Sequence, residues 1–159
     1  MRSTDLNLNM LTENLRADAP LSEQEAKQYS PLALAFLGDS VYEVMVREQL
    51  LREANRPAKQ LHNASVAHVR APYQAAAAAR IAPLLTEEEA DILRRGRNAS
   101  GISVPKSATP AEYRTATGFE ALFGYLYLRG ETARLAALFS VIWEETPKAP
   151  EEAEPNESI

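Results

Sequence analysis

The chain has 159 residues, of which 45% are hydrophobic, and this length supports one hydrophobic core better than two. It contains no Cys, which excludes disulfides and thiolate metal sites, and no run of about eighteen apolar residues that would predict a membrane span. The N-terminus lacks the apolar core and cleavage site of a signal peptide, so we expect a soluble, cytoplasmic protein without a membrane partner.

The net charge of −5 is unevenly distributed along the chain. Residues 44–114 carry eleven Lys or Arg and seven acids, whereas residues 1–43 carry three basic and seven acidic side chains, and residues 115–159 carry three and eight. A surface faces phosphate through its local charge rather than through the total. The central part of the chain is therefore compatible with a nucleic-acid partner.

We divide the chain into a partly ordered N-terminal segment (1–29), one domain (30–146) and a C-terminal tail (147–159). The tail is rich in Pro and Glu and has almost nothing to bury, so it is predicted to be disordered. Helix signals recur through the domain and no segment shows strand alternation. The predicted fold class is all-α.

The first helices of the domain begin at prolines. Ser30 and Pro31 are typical of an N-cap and the first helical position, and they open a helix that ends near Leu51. Pro57 opens the next helical region. Two later prolines divide or end this region: Pro72 and Pro83.

Capping boxes predict where the later helices start. Residues 86–89 start a short helix that stops near Gly96, and residues 109–112 start a longer one with Pro at its first position. Gly130 ends the longer helix, and residues 131–145 form the last one.

Two of these apolar helices each carry an acid near a glycine. Asp39 follows Gly38 in the run 32–46, and Glu120 lies one turn before Gly124. A buried carboxylate without a partner is costly, and helical Gly costs about 1 kcal/mol relative to Ala. We therefore expect a close approach of the two backbones, which brings both carboxylates to one cation. Oxygen ligands without His or Cys favour Mg²⁺ or Mn²⁺; the alternative is that Asp39 pairs with an arginine or caps a neighbouring helix.

Residues 34–41 (LAFLGDSV) resemble the signature helix of ribonuclease III nuclease domains, and residues 119–124 (FEALFG) resemble their second acidic helix. The similarity is closer to the Mini-ribonuclease III family, which lacks a double-stranded-RNA-binding domain. The further motifs that carry it are Tyr42–Glu43, Arg97–Asn98, Pro105–Lys106 and Tyr113–Arg114.

The resemblance implies an all-helical, homodimeric endonuclease that cuts double-stranded RNA with Mg²⁺, for which Mn²⁺ can substitute. It implies 5′-phosphate and 3′-hydroxyl ends and precursor 23S ribosomal RNA as the substrate, with a ribosomal protein of the large subunit as a candidate partner. Asp39 is then the principal catalytic acid, and Glu120 is its partner in holding the metal.

The chain departs from the full-length ribonuclease III pattern, in which four carboxylates usually gather around the ions. Leu32, Ala35 and Thr117 stand where that pattern has acids. Fewer carboxylates hold a second ion more weakly. Glu43, one turn after Asp39, is a candidate further metal ligand, and a structural salt bridge is its alternative role.

Basic side chains in and around residues 97–109 are the candidates for RNA contact, because this segment contains Gly, Ser, Asn and Pro and predicts an exposed loop. They are Arg94, Arg95, Arg97, Lys106 and Arg114. The alternative is an ordinary solvated helix end, where cations are also favoured. If these residues do not contact RNA, the surface is to be sought along Lys59, His62 and Arg70.

Two competing functions use the same helices without chemistry: a non-catalytic RNA-binding or ribosome-associated protein, and a purely structural helical dimer. The fold alone does not decide, because activity depends on the site. The presence of both Asp39 and Glu120 favours the enzyme. Incubation with duplex RNA, with and without Mg²⁺, distinguishes the three.

Overall fold

The computed structural model describes residues 19–99, 106 and 108–144, and these residues form seven α-helices and one 3₁₀ turn. No strand occurs within these ranges, so the predicted all-α class is confirmed. The predicted tail (147–159) and most of the predicted loop lie outside the described residues. The helices are α1 (Glu23–Lys27), α2 (Pro31–Glu53), α3 (Ala58–Val69), α4 (Ala71–Ile81), α5 (Glu87–Arg97), α6 (Pro110–Leu128) and α7 (Thr132–Glu144), with the 3₁₀ turn Ala82–Leu84 after α4.

The hydrogen bonds of the caps confirm three predicted helix starts. The side chains of Ser30, Thr86 and Thr109 each accept a bond from the backbone N–H three residues further on. These bonds satisfy donors that have no partner inside the helix. Ser22 and Glu25 form a further capping box that starts α1, a helix that the sequence analysis did not assign.

Helix α6 is the centre of the fold and contacts α1, α2, α4, α5 and α7. Every residue from 116 to 126 is buried except Glu120, which is partly buried. A helix that is apolar on all sides is stable only when neighbours cover it all round. The partly buried carboxylate of Glu120 therefore emerges from an otherwise closed helix.

Tyr42 anchors α2 in the core. Its ring meets those of Phe119 and Phe123 edge-on, at centroid distances of 5.1 and 5.6 Å, a favourable arrangement for aromatic pairs. Its hydroxyl donates to the carbonyl of His68 at 2.8 Å, which ties α2 to the end of α3. These contacts fix the rotation of α2 about its axis, and with it the direction of Asp39.

Helix α7 closes another side of the core through one apolar face, whose buried residues are Leu135, Leu138, Phe139 and Ile142. Its last turn is held by Trp143, whose indole N–H donates to Glu53 at 2.7 Å and whose ring stacks on His68 at 4.6 Å.

The segment before Ser30 joins the same core. The backbone N–H of Leu21 donates to the carbonyl of Leu128 at 2.8 Å, and Arg129 donates back to the carbonyl of Leu21 at 3.0 Å. Ala26 of α1 is fully buried. In the ranges that the structure describes, no helix has both the length and the apolar character needed to cross a membrane.

Candidate active site

Helices α2 and α6 cross with their backbones in contact. A Cβ atom added to Gly38 would overlap the carbonyl oxygen of Glu120 and lie 2.7 Å from the backbone nitrogen of Gly124. A Cβ added to Gly124 would overlap the carbonyl oxygen of Leu34 and lie 3.0 Å from the nitrogen of Gly38. Only glycine fits at either position, so the predicted close approach is confirmed.

This crossing brings the carboxyl groups of Asp39 and Glu120 together, close enough to share a hydrogen bond. Burial, the charge of Asp39 and a hydrogen-bonding interaction between the two groups together raise the pKa of Glu120 to about 8. Two carboxylates in contact resist simultaneous ionisation. Without a cation, the pair therefore holds a proton at neutral pH.

The expectation that Asp39 is buried is wrong, because this residue is exposed. Burial of α2 follows its contact with α6, and Asp39 lies at the edge of that contact rather than inside it. The alternative in which Asp39 pairs with an arginine is not observed: in the part of the chain that the structure covers, no Arg or Lys forms an ion pair with Asp39. Its charge instead acts on Glu120, whose pKa it raises.

Glu43 is engaged by a different group. Its Oε1 accepts a bond from Arg47 at 2.8 Å, one turn along α2, so the structural salt bridge considered for this residue is present. Across the described ranges, no three Asp, Glu or His side chains gather as a metal site.

The positions that carry acids in the full-length ribonuclease III pattern have no free polar group here. Ala35 is buried, and Leu32 is exposed on the outer face of α2. Thr117 is buried and its hydroxyl donates to the carbonyl of Tyr113 at 2.9 Å, within its own helix. The two carboxylates remain a pair of hard oxygen donors, which suits a small divalent cation that keeps several water ligands.

A second glycine crossing joins α5 to α6, and the sequence analysis did not predict it. The helix was predicted to stop near Gly96 and it ends at Arg97, but the burial of Gly96 was not predicted. A Cβ on Gly96 would lie 2.7 Å from the Cα of Gly118 and 3.0 Å from the Cβ of Ala121. The recurrence of glycine one and a half turns apart on α6, at residues 118 and 124, was the available signal.

The candidate RNA-binding side chains do not have equal exposure. Arg97, Lys106 and Arg114 are exposed, whereas Arg95 is partly buried. Arg94 is exposed but forms an ion pair with Asp91 on its own helix. The second-choice residues, Lys59, His62 and Arg70, are exposed on α3 and at its end.

Comparison with known proteins places this pair in a recognised domain. A family model described as Ribonuclease III domain matches residues 32–131, which include both acids. Mini-ribonuclease 3 of Symbiobacterium thermophilum is 53% identical over 106 residues, covering 67% of this chain and 82% of that protein. Mini-ribonuclease 3 of Synechococcus sp. is 50% identical over 127 residues, covering 80% and 90%. An X-ray structure of a protein from Fusobacterium nucleatum matches with a TM-score of 0.67 at 32% identity, covering 73% and 93%.

Proposed function

The chain belongs to the Mini-ribonuclease III family of ribonuclease III domains, and on that premise we propose that it cleaves double-stranded RNA with Mg²⁺ to mature precursor 23S ribosomal RNA. It is an endoribonuclease. The observation that carries the proposal is the carboxylate pair of Asp39 and Glu120, which meets at a glycine crossing within the matched domain.

The chemistry of the pair fits a divalent cation. Two carboxylates that share a proton at neutral pH gain most from a positive charge placed between them, since the cation removes their repulsion. Oxygen donors alone favour Mg²⁺, for which Mn²⁺ can substitute. When bound, such an ion activates water and neutralises charge on a phosphoryl group. Asp39 and Glu120 hold it, and Glu43 joins them only if it leaves Arg47.

Basic side chains outside the carboxylate pair hold the duplex RNA. Arg97, Lys106 and Arg114 are exposed and are the principal phosphate contacts in this proposal. Arg95 and Arg94 contribute less, because the first is partly buried and the second is paired with Asp91. Contacts to phosphate and 2′-hydroxyl recognise the shape of A-form RNA rather than its sequence.

A homodimer completes the proposal. It is supported by the exposed apolar side chains of α2 and of Tyr29, two residues before the helix. Phe36 is 83% exposed and Val44 is 64% exposed, and both lie on one face of the helix. An apolar surface of this kind indicates an interface, and a two-fold axis would pair two sites for the two strands. The exposed apolar residues here are Tyr29, Leu32, Phe36, Val44 and Leu51.

The cellular setting follows from the same proposal. Maturation of 23S ribosomal RNA is a cytoplasmic reaction, and a ribosomal protein of the large subunit is a candidate partner that presents the RNA. The competing proposal is a non-catalytic, RNA-binding member of the family. It accounts for the basic surface but gives no role to the repulsion between Asp39 and Glu120.

One experiment tests the proposal directly. The purified protein is incubated with a duplex RNA that carries the paired ends of a 23S precursor, with Mg²⁺ or with a chelator. Cleavage that requires Mg²⁺ and leaves 5′-phosphates supports the proposal. Binding of the duplex without cleavage at any Mg²⁺ concentration would favour the non-catalytic alternative.

A further inference from the structure

Two glycine crossings lie on either side of Glu120 on the same helix. Gly124, one turn after Glu120, meets α2 beside Asp39, and Gly118, two residues before Glu120, meets α5. Helix α6 therefore packs against α2, which carries the second carboxylate, and against α5, which ends at Arg97. The carboxylate pair and the basic side chain are thus attached to one rigid element.

The crossing of α5 over α6 leaves no space for a side chain. A Cβ added to Gly118 would overlap the carbonyl oxygen of Leu93 and lie 3.1 Å from the backbone nitrogen of Arg97. Arg97 is the last residue of α5; its backbone lies at the contact with α6 and its side chain is exposed. Helices that touch through their backbones have no side chains that can repack, so their separation is fixed.

We propose that Gly96 and Gly118 are positioning residues for RNA cleavage: their contact sets the distance between Arg97 and the Asp39–Glu120 pair. This inference rests on the proposed function, in which Arg97 contacts a phosphate of the duplex. That distance then determines how many nucleotides separate the held phosphate from the bond that is cut.

Substitution of Gly96 or Gly118 should change the positions of the helices and leave the reacting groups themselves unchanged. Alanine at either glycine must separate α5 from α6, because the nearest atom it meets belongs to the backbone of the other helix. The carboxylate pair depends on the other crossing and keeps its geometry. A misplacement of about 1 Å between a binding contact and the reacting groups costs up to about 10²-fold in rate.

The test uses Gly96→Ala and Gly118→Ala in the full chain, with three measurements. These are the affinity for Mn²⁺ by calorimetry, the affinity for a duplex RNA of defined sequence, and a map of the 5′ ends of the cleavage products at single-nucleotide resolution. We expect Mn²⁺ affinity within about twofold of wild type, kcat/KM reduced by about 10- to 100-fold, and product ends that move to neighbouring phosphodiester bonds.

A matched control separates position from stability. Leu138→Ala removes a buried side chain from α7, outside the contact of Gly96 with Gly118, and is expected to lower Tm. Its product ends should be those of the wild type. Folded glycine variants that also give wild-type product ends and wild-type RNA affinity would overturn the proposal.

An exchange of two neighbouring residues tests the same distance without any change in helix packing. Arg97→Asn combined with Asn98→Arg moves the guanidinium by one residue and keeps the composition and net charge. The product ends should shift, and Mn²⁺ affinity should stay unchanged. This variant decides the matter if the glycine variants do not fold, and wild-type product ends would then refute the proposal.

Arg97→Ala separates failure of this inference from failure of the proposed function. If Arg97→Ala leaves RNA affinity unchanged, the assignment of Arg97 to phosphate binding is wrong, and the inference falls with it. If Arg97→Ala weakens RNA binding but the exchange variant leaves the product ends in place, the assignment survives and only the positioning role is refuted.

Discussion

The backbone of Gly38 is in contact with that of Glu120, so that a side chain at residue 38 would occupy the position of the Glu120 carbonyl oxygen. Asp39 follows directly in the chain. The meeting of the two carboxylates is therefore set by the contact of two helix backbones, and the packing of Tyr42 holds the rotation of α2 at that contact.

Substitution of a glycine at the crossing of α2 with α6 should strongly destabilise the protein. We expect Gly38→Ala and Gly124→Ala each to lower the free energy of unfolding in urea by about 3 kcal/mol or more, because overpacking against backbone has no side chain to relieve it. Gln60→Ala, at an exposed position of α3, is the control and should change the same quantity by less than about 0.5 kcal/mol. A soluble Gly38→Ala variant with wild-type stability would contradict the contact.

Neutralising either acid should abolish cleavage while the fold remains. We expect Asp39→Asn and Glu120→Gln to lose Mn²⁺ binding by calorimetry and to reduce the cleavage rate at saturating Mg²⁺ by on the order of 10³-fold, because an amide supplies no negative charge. Glu43→Gln, which breaks only the pair with Arg47, should have a much smaller effect. Comparable cleavage by wild type and Asp39→Asn would refute the assignment.

The raised pKa of Glu120 predicts how the stability of the metal-free protein depends on pH. The pKa is about 8 in the folded protein against an ordinary value of 4.5, so the folded state binds the proton more tightly than the unfolded state. This contribution is complete below about pH 4.5 and is lost as the pH rises to about 8. The difference in unfolding free energy between wild type and Glu120→Gln, measured with chelator, should therefore become less favourable to wild type across this range.

Addition of Mg²⁺ provides the matching observation. Because the cation binds the ionised pair, it should raise Tm more at pH 8 than at pH 5.5. The increase should be absent in Glu120→Gln. An equal increase at both pH values would show that the ion binds elsewhere.

A substitution that introduces a charge on the exposed face of α2 tests the dimer. We expect the wild type to sediment as a dimer and Phe36→Asp to sediment as a monomer, because a carboxylate in an apolar interface is strongly unfavourable. Leu84→Asp, at another exposed apolar position on the 3₁₀ turn, is the control and should remain dimeric. Full double-strand cleavage by a wild type that is monomeric at working concentration would refute the proposed dimer.

RNA binding is tested by its salt dependence. Neutralising Arg97 and Lys106 together should reduce the slope of log affinity against log salt by about 2, because each phosphate contact releases about one counterion. At saturating RNA the rate should fall much less than with Asp39→Asn. The matched control is the pair Lys59→Gln and Arg70→Gln. If the control changes the slope and the test pair does not, RNA lies along α3 and α4.

The helix starts could be predicted because their causes are local. The bonds at Ser30, Thr86 and Thr109 form between residues three apart, so the pattern is visible in the sequence alone. The box of Ser22 and Glu25 has the same pattern, but it opens a helix of only five residues that is stabilised by contact with α6. Short helices depend on tertiary contacts that the sequence pattern does not contain.

The carboxylate pair could be located from its glycines, but its surroundings could not. Gly38 and Gly124 lie beside acids, which made their role visible, whereas Gly96 stands near a helix end and resembled a terminator. The exposure of Asp39 depends on which face of α2 meets α6. Hydrophobic periodicity does not give that face, because α2 is apolar on both its buried side and its exposed side.

The contact of α2 with α6 also determines how the repulsion between Asp39 and Glu120 is relieved. The helices cannot move apart, so without a cation the proton on Glu120 removes the repulsion at neutral pH, and a cation must displace that proton. A cation then enters a preorganised site and loses little of its binding energy to rearrangement. A chain with only two carboxylates can in this way bind an ion more tightly than the number of its ligands would suggest.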